Sequence, residues 1–303
     1  MRCLVSIVGP TAVGKSELAL QLAQSFPIEI VSADSRQVYR YMNIGTNKPS
    51  PSERASVPHH VIDVIEPDED FSLAIYHQLA IGAMKTIQWK NRLPLLVGGS
   101  GLYVWSLVEG WRIPQVLPNQ QLRRKLEARA EQEGSHSLYH ELQNIDSTAA
   151  AKINPNNTRR IIRALEIYHT TGQHPSQLQR KEAPLFPILI IGLTQERDAL
   201  YRRIDQRVDK MIQNGLVEEV EQLFKKGYKL SLPSMSGIGY KQIGQFLRGE
   251  MTLPLAIDKI KYETHRLVRH QYAWFRPDDS RIHWFDVNGE GVKARKLIED
   301  FMS

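Results

Sequence analysis

Leu4-Val5-Ser6-Ile7-Val8-Gly9-Pro10-Thr11-Ala12-Val13-Gly14-Lys15-Ser16 begins as an apolar run and closes as G-x-x-x-x-G-K-S. Leu18, Ala19, Leu22 and Ala23 follow at helical spacing, so the stretch reads as strand, glycine turn, helix. That is a phosphate-binding P-loop in its expected context. The glycines let the backbone curl until successive N–H groups between Gly9 and Ser16 point at one anion. Lys15 adds a positive charge, and the Ser16 hydroxyl suits a Mg²⁺ ion. The helix N-terminus contributes partial positive charge at the same point. The loop specifies a diphosphate or triphosphate and leaves open which molecule carries it.

Working outward, Ile28–Ser32 reads as a second buried strand ending at Ala33-Asp34-Ser35. Leu93–Val97 reads as another, running into Gly98-Gly99-Ser100-Gly101, and Leu73 to Gln88 carries apolar residues at helical spacing. Short apolar strands separated by helices predict a parallel sheet covered on both faces. Loops at the carboxyl ends of such strands carry function, so Gly9, Asp34 and Gly98 should meet at one rim. Residues 113–186 instead read as helices throughout, over Leu122–Ala130, Ser137–Gln143 and Thr158–Thr170. Strand character returns at residues 188–193, followed by two long helices. The prediction is therefore an α/β fold: a P-loop nucleoside-triphosphate-hydrolase-like parallel sheet core with a helical insertion domain. The core comprises residues 1–112 and 187–303, the latter with C-terminal helices, and the insertion is 113–186.

Composition bounds the partners. No apolar stretch approaches the roughly 18 residues that cross a membrane, and the eight residues before Gly9 read as a strand, not a leader. A single cysteine, Cys3, rules out intrachain disulfides and cysteine-rich zinc sites, and a reducing cytoplasm is the simplest compartment. The net charge of +6 is compatible with a nucleic-acid partner. More telling, arginines cluster at Arg123-Arg124, at Arg159-Arg160 with Arg163, and at Arg202-Arg203 with Arg207.

An ATP-hydrolysing P-loop protein usually has a second strand ending in an acid. Here that strand runs into glycines, and the acid at a matching strand end is Asp34. With Asp34-Ser35-Arg36-Gln37-Val38-Tyr39, Gly45-Thr46-Asn47-Lys48-Pro49, Gly98-Gly99-Ser100-Gly101-Leu102-Tyr103 and the Arg269…Gln271…Trp274 helix added to the P-loop, the chain resembles the tRNA dimethylallyltransferase (tRNA isopentenyltransferase) family over nearly its whole length. The resemblance implies transfer of a dimethylallyl group from dimethylallyl diphosphate to N6 of the adenine at tRNA position 37, beside the anticodon, with Mg²⁺ as cofactor. It implies Asp34 as general base and Thr11 and Lys15 at the diphosphate. Asp34, Ser35, Arg36, Gln37 and Ser100 match positions that contact the flipped adenine or its neighbours. Arg123, Arg159 and Arg163 would grip the anticodon stem-loop. A monomer with no membrane partner is expected.

Several residues also have a plainer reading. Asp34 is a possible helix N-cap, His59-His60 has a structural or polar-contact role, and Arg203 and Arg207 form a solvated helix face unless one reaches the diphosphate. Arg163 can pair with Glu166 at i, i+3. Trp274-Phe275 and the Ile204–Val208 stripe are expected in the core. Two rival functions, a small-molecule kinase and a non-enzymatic GTPase-like RNA-binding module, need ATP turnover or an N-K-x-D motif, and the motif is absent from the sequence.

Overall fold

The computed structural model describes residues 3–116, 118–287 and 291–302. Six parallel strands form one sheet: β1 (Leu4–Val8), β2 (Ile28–Ser32), β3 (His59–His60), β4 (Leu93–Val97), β5 (Ile188–Thr194) and β6 (Ile282–Asp286). Their order is β3-β2-β4-β1-β5-β6. All five residues are buried in each of β1, β2 and β4, because helices cover both faces. On one face Val5, Ile7, Leu95 and Ile191 pack with Leu18 and Leu22 of the helix Lys15–Ala23 and with Leu200 and Ile204 of the helix Arg197–Gln213. The chain leaves β1 for β2, passing β4, and later returns to the other flank of β1 as β5. Such a reversal opens a crevice at the strands' carboxyl ends.

Four of these strands match the runs read in the sequence. The other two carry weak signals: β3 has only two residues, and β6, Ile-His-Trp-Phe-Asp, is an edge strand with one fully buried position. Glu29 accounts for the histidine pair. Its carboxylate is buried inside β2 and accepts from His60 Nε2 at 2.7 Å and from Lys90 Nζ at 3.2 Å. His59 instead places Nδ1 2.7 Å from the Val57 carbonyl.

Two compact units result: residues 1–108 with 184–303, and residues 109–183. The second is mainly helical, with Gln120–Glu133, Ser135–Ile145 and Thr158–Thr171 packed around Leu126, Leu138, Leu142 and Ile161, and one antiparallel bridge joins Trp111 to Lys181. Its organising charge is Glu166, which is fully buried. Arg123 donates to both carboxylate oxygens at 2.8 Å, Asn119 N–H donates at 2.7 Å, and Arg163 completes the set from one turn earlier. Arg163 also reaches the Val116 carbonyl at 3.0 Å. Arg163 thus makes the i, i+3 pair with Glu166 that the sequence offered, and Arg123 shares the same buried carboxylate while both side chains stay partly exposed. Arg159 and Arg160 on the same helix are exposed.

Burial opposes the Glu166 charge, but the hydrogen bonds from Arg123 and Arg163 prevail and hold its carboxyl below the usual value of 4.5. Its contribution to stability is therefore present above that value and is lost as pH falls through the lower, folded-state value. Glu166→Ala should cost about 3 kcal/mol, since it leaves two arginines without their buried counter-ion. Chemical denaturation at neutral pH measures the loss, and the same titration at about pH 3 should show a smaller difference.

Candidate active site

Two left-handed glycines shape the phosphate loop. Gly9 leaves β1 at φ +136°, where an added Cβ would lie 2.4 Å from the Leu193 carbonyl oxygen. Gly14, at φ +104°, starts the helix Lys15–Ala23 with no side-chain cap. The first-turn N–H groups therefore remain available to an anion. Between them, Pro10 and Val13 are buried, whereas Ala12, itself left-handed at φ +65°, faces the crevice. Lys15 Nζ folds back on the Gly9 and Pro10 carbonyls at 3.0 and 2.6 Å. Burial, assisted by the charge of Arg207, pushes this ammonium down to about 7 against the pull of Asp34. Ser16 is exposed at the floor of the crevice.

Two cavities, of about 600 and 440 Å³, open along this rim. Lys15, Ser16, Arg203 and Lys210 line the larger; Leu102, Tyr103, Ile238, Leu267 and Trp274 give the smaller an apolar wall. Thr11, Ala12, Asp34, Thr46, Gly99, Arg207, Met211 and Gln271 line both, so the cavities adjoin at these residues. Asp34 thus stands between a cationic cradle and an apolar pocket.

The turn after β2 is tightly bonded. Asp34 Oδ1 accepts from Arg36 N–H at 2.8 Å, closing a turn; residues 35–38 are not helical, so Asp34 is no helix N-cap. Ser35 N–H donates to Ser100 Oγ at 3.0 Å, which joins this turn to the glycine loop after β4. The Arg36 guanidinium donates to the Pro233 carbonyl at 2.8 Å and to Ser236 Oγ at 3.3 Å. Gln37 accepts from Ser32 Oγ at 3.0 Å and donates to the Thr46 and Asn47 carbonyls at 3.3 and 3.2 Å. Ser35, Arg36 and Ser100 border the smaller cavity and Gln37 the larger. Arg123, Arg159 and Arg163 belong to the helical unit, outside these cavities.

The two arginines of the helix Arg197–Gln213 separate. Arg203 lies 3.3 Å from Glu17. Arg207 points inward, donates to Thr11 Oγ1 at 3.3 Å and makes no ion pair among the described residues. Burial pulls its guanidinium below the ordinary value while Asp34 draws it back up. A half-buried cation at the cavity wall, without a counter-ion, attracts an anion.

The helix Leu253–Trp274, whose Arg269, Gln271 and Trp274 entered the sequence reading without an assigned contact, supplies polar and aromatic groups to the site. Gln271, 7% exposed, accepts from Thr11 N–H at 2.8 Å and donates to the Gly99 carbonyl at 3.1 Å. Its signal in the sequence was an amide three residues after Val268 and four before Phe275, within an apolar stripe. Trp274, expected in the core, is 38% exposed and lines the smaller cavity, whereas Phe275 is buried. The indole rests on Gly101, where a Cβ would come within 2.2 Å of its ring. Of the histidines on this helix, His265 stacks on Tyr201 with its Nε2 2.9 Å from Asp205, and His270 lines the smaller cavity.

Among the described residues no three His, Cys, Asp or Glu side chains gather into a metal site, and no helix is long and apolar enough to cross a membrane. The donors present, the Ser16 hydroxyl beside a phosphate cradle, suit a cation that takes most of its ligands from a diphosphate and water, as Mg²⁺ does.

Residues 37–278 match the IPP transferase family, and residues 2–63 match isopentenyl transferase. The tRNA dimethylallyltransferase of Thermomicrobium roseum is 50% identical over 298 residues, covering 98% of this chain and 90% of the relative. That of Roseiflexus castenholzii is 51% identical over 273 residues, covering 90% of this chain and 89% of the relative. The crystal structure of the full-length tRNA isopentenylpyrophosphate transferase of Bacillus halodurans superposes with a TM-score of 0.73 at 39% identity, over 99% of this chain and 96% of the other. A eukaryotic dimethylallyltransferase acting on tRNA superposes with a TM-score of 0.84 at 27% identity, over all of this chain and 80% of the other. By fold, by the residues of its phosphate loop and Asp34 turn, and by identity along nearly its full length, the chain belongs to the IPP transferase family.

Proposed function

We propose that this chain transfers the dimethylallyl group of dimethylallyl diphosphate to N6 of the adenine at tRNA position 37, releasing diphosphate. The observation that carries the reading is the position of Asp34, which borders both the P-loop cavity and the apolar pocket beyond it. The diphosphate lies in the loop's N–H groups with Lys15 and Arg207 over its oxygens. As the C–O bond breaks, its electron pair passes to the diphosphate, and these fixed dipoles and charges stabilise the growing negative charge. The N6 lone pair forms the new C–N bond, and Asp34 accepts the proton that N6 loses. Thr11, held by Gln271 and Arg207, orients the diphosphate beside the reacting carbon. Ser16 would hold a Mg²⁺ carried on the diphosphate, whose charge neutralises the leaving group.

The adenine must leave the anticodon loop stack, at a cost of a few kcal/mol. Ser35, Arg36 and Ser100 at the edge of the apolar pocket contact the flipped base and its neighbours. The exposed Arg159 and Arg160 of the helical unit hold RNA phosphates, and Arg124 and Lys125 of the same unit are exposed as well. The enzyme works as a monomer in the cytoplasm.

Asp34→Asn keeps the shape and removes the base, so transfer should fall by roughly 10²-fold or more while tRNA affinity changes little. Single-turnover assays with radiolabelled dimethylallyl diphosphate and unmodified tRNA measure both, and a near-normal rate would exclude the general-base role. The depressed Lys15 makes a second prediction. A diphosphate beside it favours the charged form, so binding at about pH 8 should take up a proton and affinity should fall as pH rises past 7. Calorimetry in buffers of different ionisation enthalpy reads the uptake, which Lys15→Met should abolish. Finally, the Arg159→Ala/Arg160→Ala double variant should weaken tRNA binding and lower the log–log salt slope by about 1 to 2, with diphosphate binding intact. Filter binding across salt concentrations gives the slope, and an unchanged slope would move the RNA grip elsewhere.

A further inference from the structure

One carboxylate that lines neither cavity gathers four donors. Glu219, on the helix Leu216–Lys225, accepts from three successive backbone N–H groups: Asn43 at 2.9 Å, Ile44 at 2.8 Å and Gly45 at 3.2 Å. The Tyr240 hydroxyl, from the helix Tyr240–Leu247, donates to the same carboxylate at 2.6 Å. Consecutive N–H groups turned to one side form a concave, positively polarised nest, and bonds to an ionised acceptor are the strong ones. The Tyr240 ring also seats the loop, since a Cβ on Gly45 would lie 2.5 Å from it.

The clamped loop is a wall of the site. Asn43, Ile44, Thr46 and Asn47 face the larger cavity, and Gly45 and Thr46 the smaller. Its position passes to the Asp34 turn through Gln37, whose amide bonds the Thr46 and Asn47 carbonyls on one side and Ser32 on the other. We propose that Glu219 is a positioning residue for the transfer reaction: by clamping the 43–45 backbone onto Tyr240 it sets the shared wall of the two cavities and the register of the Asp34 turn. This rests on the transferase reading given above.

The test uses the full chain with Glu219→Gln and Tyr240→Phe. Glu219→Gln replaces one acceptor oxygen by a donor that faces N–H groups. Amide hydrogen exchange at Asn43, Ile44 and Gly45 should rise by at least about 10-fold. The single-turnover transfer rate at saturating substrates should fall about 10- to 100-fold, because small misplacements of reacting groups are costly. Inorganic diphosphate, which probes the P-loop alone, should bind within about twofold of the parent. Tyr240→Phe, which keeps the ring and loses one donor, should fall between. Faster exchange with an unchanged transfer rate would overturn the proposal, because the loop's order would then be irrelevant to the reaction. Equal losses of diphosphate binding and of transfer would also overturn it, marking Glu219 as a general structural residue. Absence of transfer by the parent protein would instead strike the transferase reading itself.

Discussion

The amide of Gln271 is the contact on which the rest of the site depends. One buried side chain accepts the N–H of Thr11 and donates to the carbonyl of Gly99, joining the loop after β1 to the loop after β4. Without it each loop would lose one backbone hydrogen bond, at a cost of about 0.5–1.5 kcal/mol each. The same bond fixes Thr11 so that its hydroxyl meets Arg207. A Cβ on Gly99 would fall 2.2 Å from the Gln271 nitrogen, so a glycine is what allows the amide in. The parallel sheet brings the two loops to one rim, and the helix Leu253–Trp274 ties them together there.

Charge is handled in two opposite ways. Buried charges away from the cavities are compensated. Glu29 meets His60 and Lys90, and Glu166 meets Arg123 and Arg163. Lys15 and Arg207 at the rim form no ion pair among the described residues, and burial pulls both below their ordinary values. Breaking a buried pair is costly, so cations kept without partners are the natural seat for an anionic substrate. Arg123 and Arg163, which stand in sequence clusters of basic residues, share one buried counter-ion.

Much of the core was legible because its signals are local. An apolar run can be read in one window, as in β1, β2, β4 and β5, and β1 and β4 run on into glycines and a helix. Gly9–Ser16 and Asp34 were legible for the same reason: each sits at the end of a strand whose apolar pattern announces it. Weaker elements escaped. Pairing along β2 makes β3 a strand, and pairing along β5 does the same for β6. Trp274 was misread because a tryptophan at helical spacing normally packs inward; here Gly101 lets the indole lie across the cavity edge.

The sequence by itself determined the parallel α/β core, the helical insertion, the phosphate loop and the acid at the end of β2, since each follows from periodicity or from residue types within a few positions. Only the tertiary structure decided which polar side chains serve the site. Gln271 reaches a residue 260 positions away, Arg207 one 196 positions away, and Glu219 a loop about 175 positions away. Such partners carry no local pattern. They are chosen by the packing of the helices Arg197–Gln213, Leu216–Lys225 and Leu253–Trp274 against the strand ends, where a buried polar group must find the one complementary atom within reach.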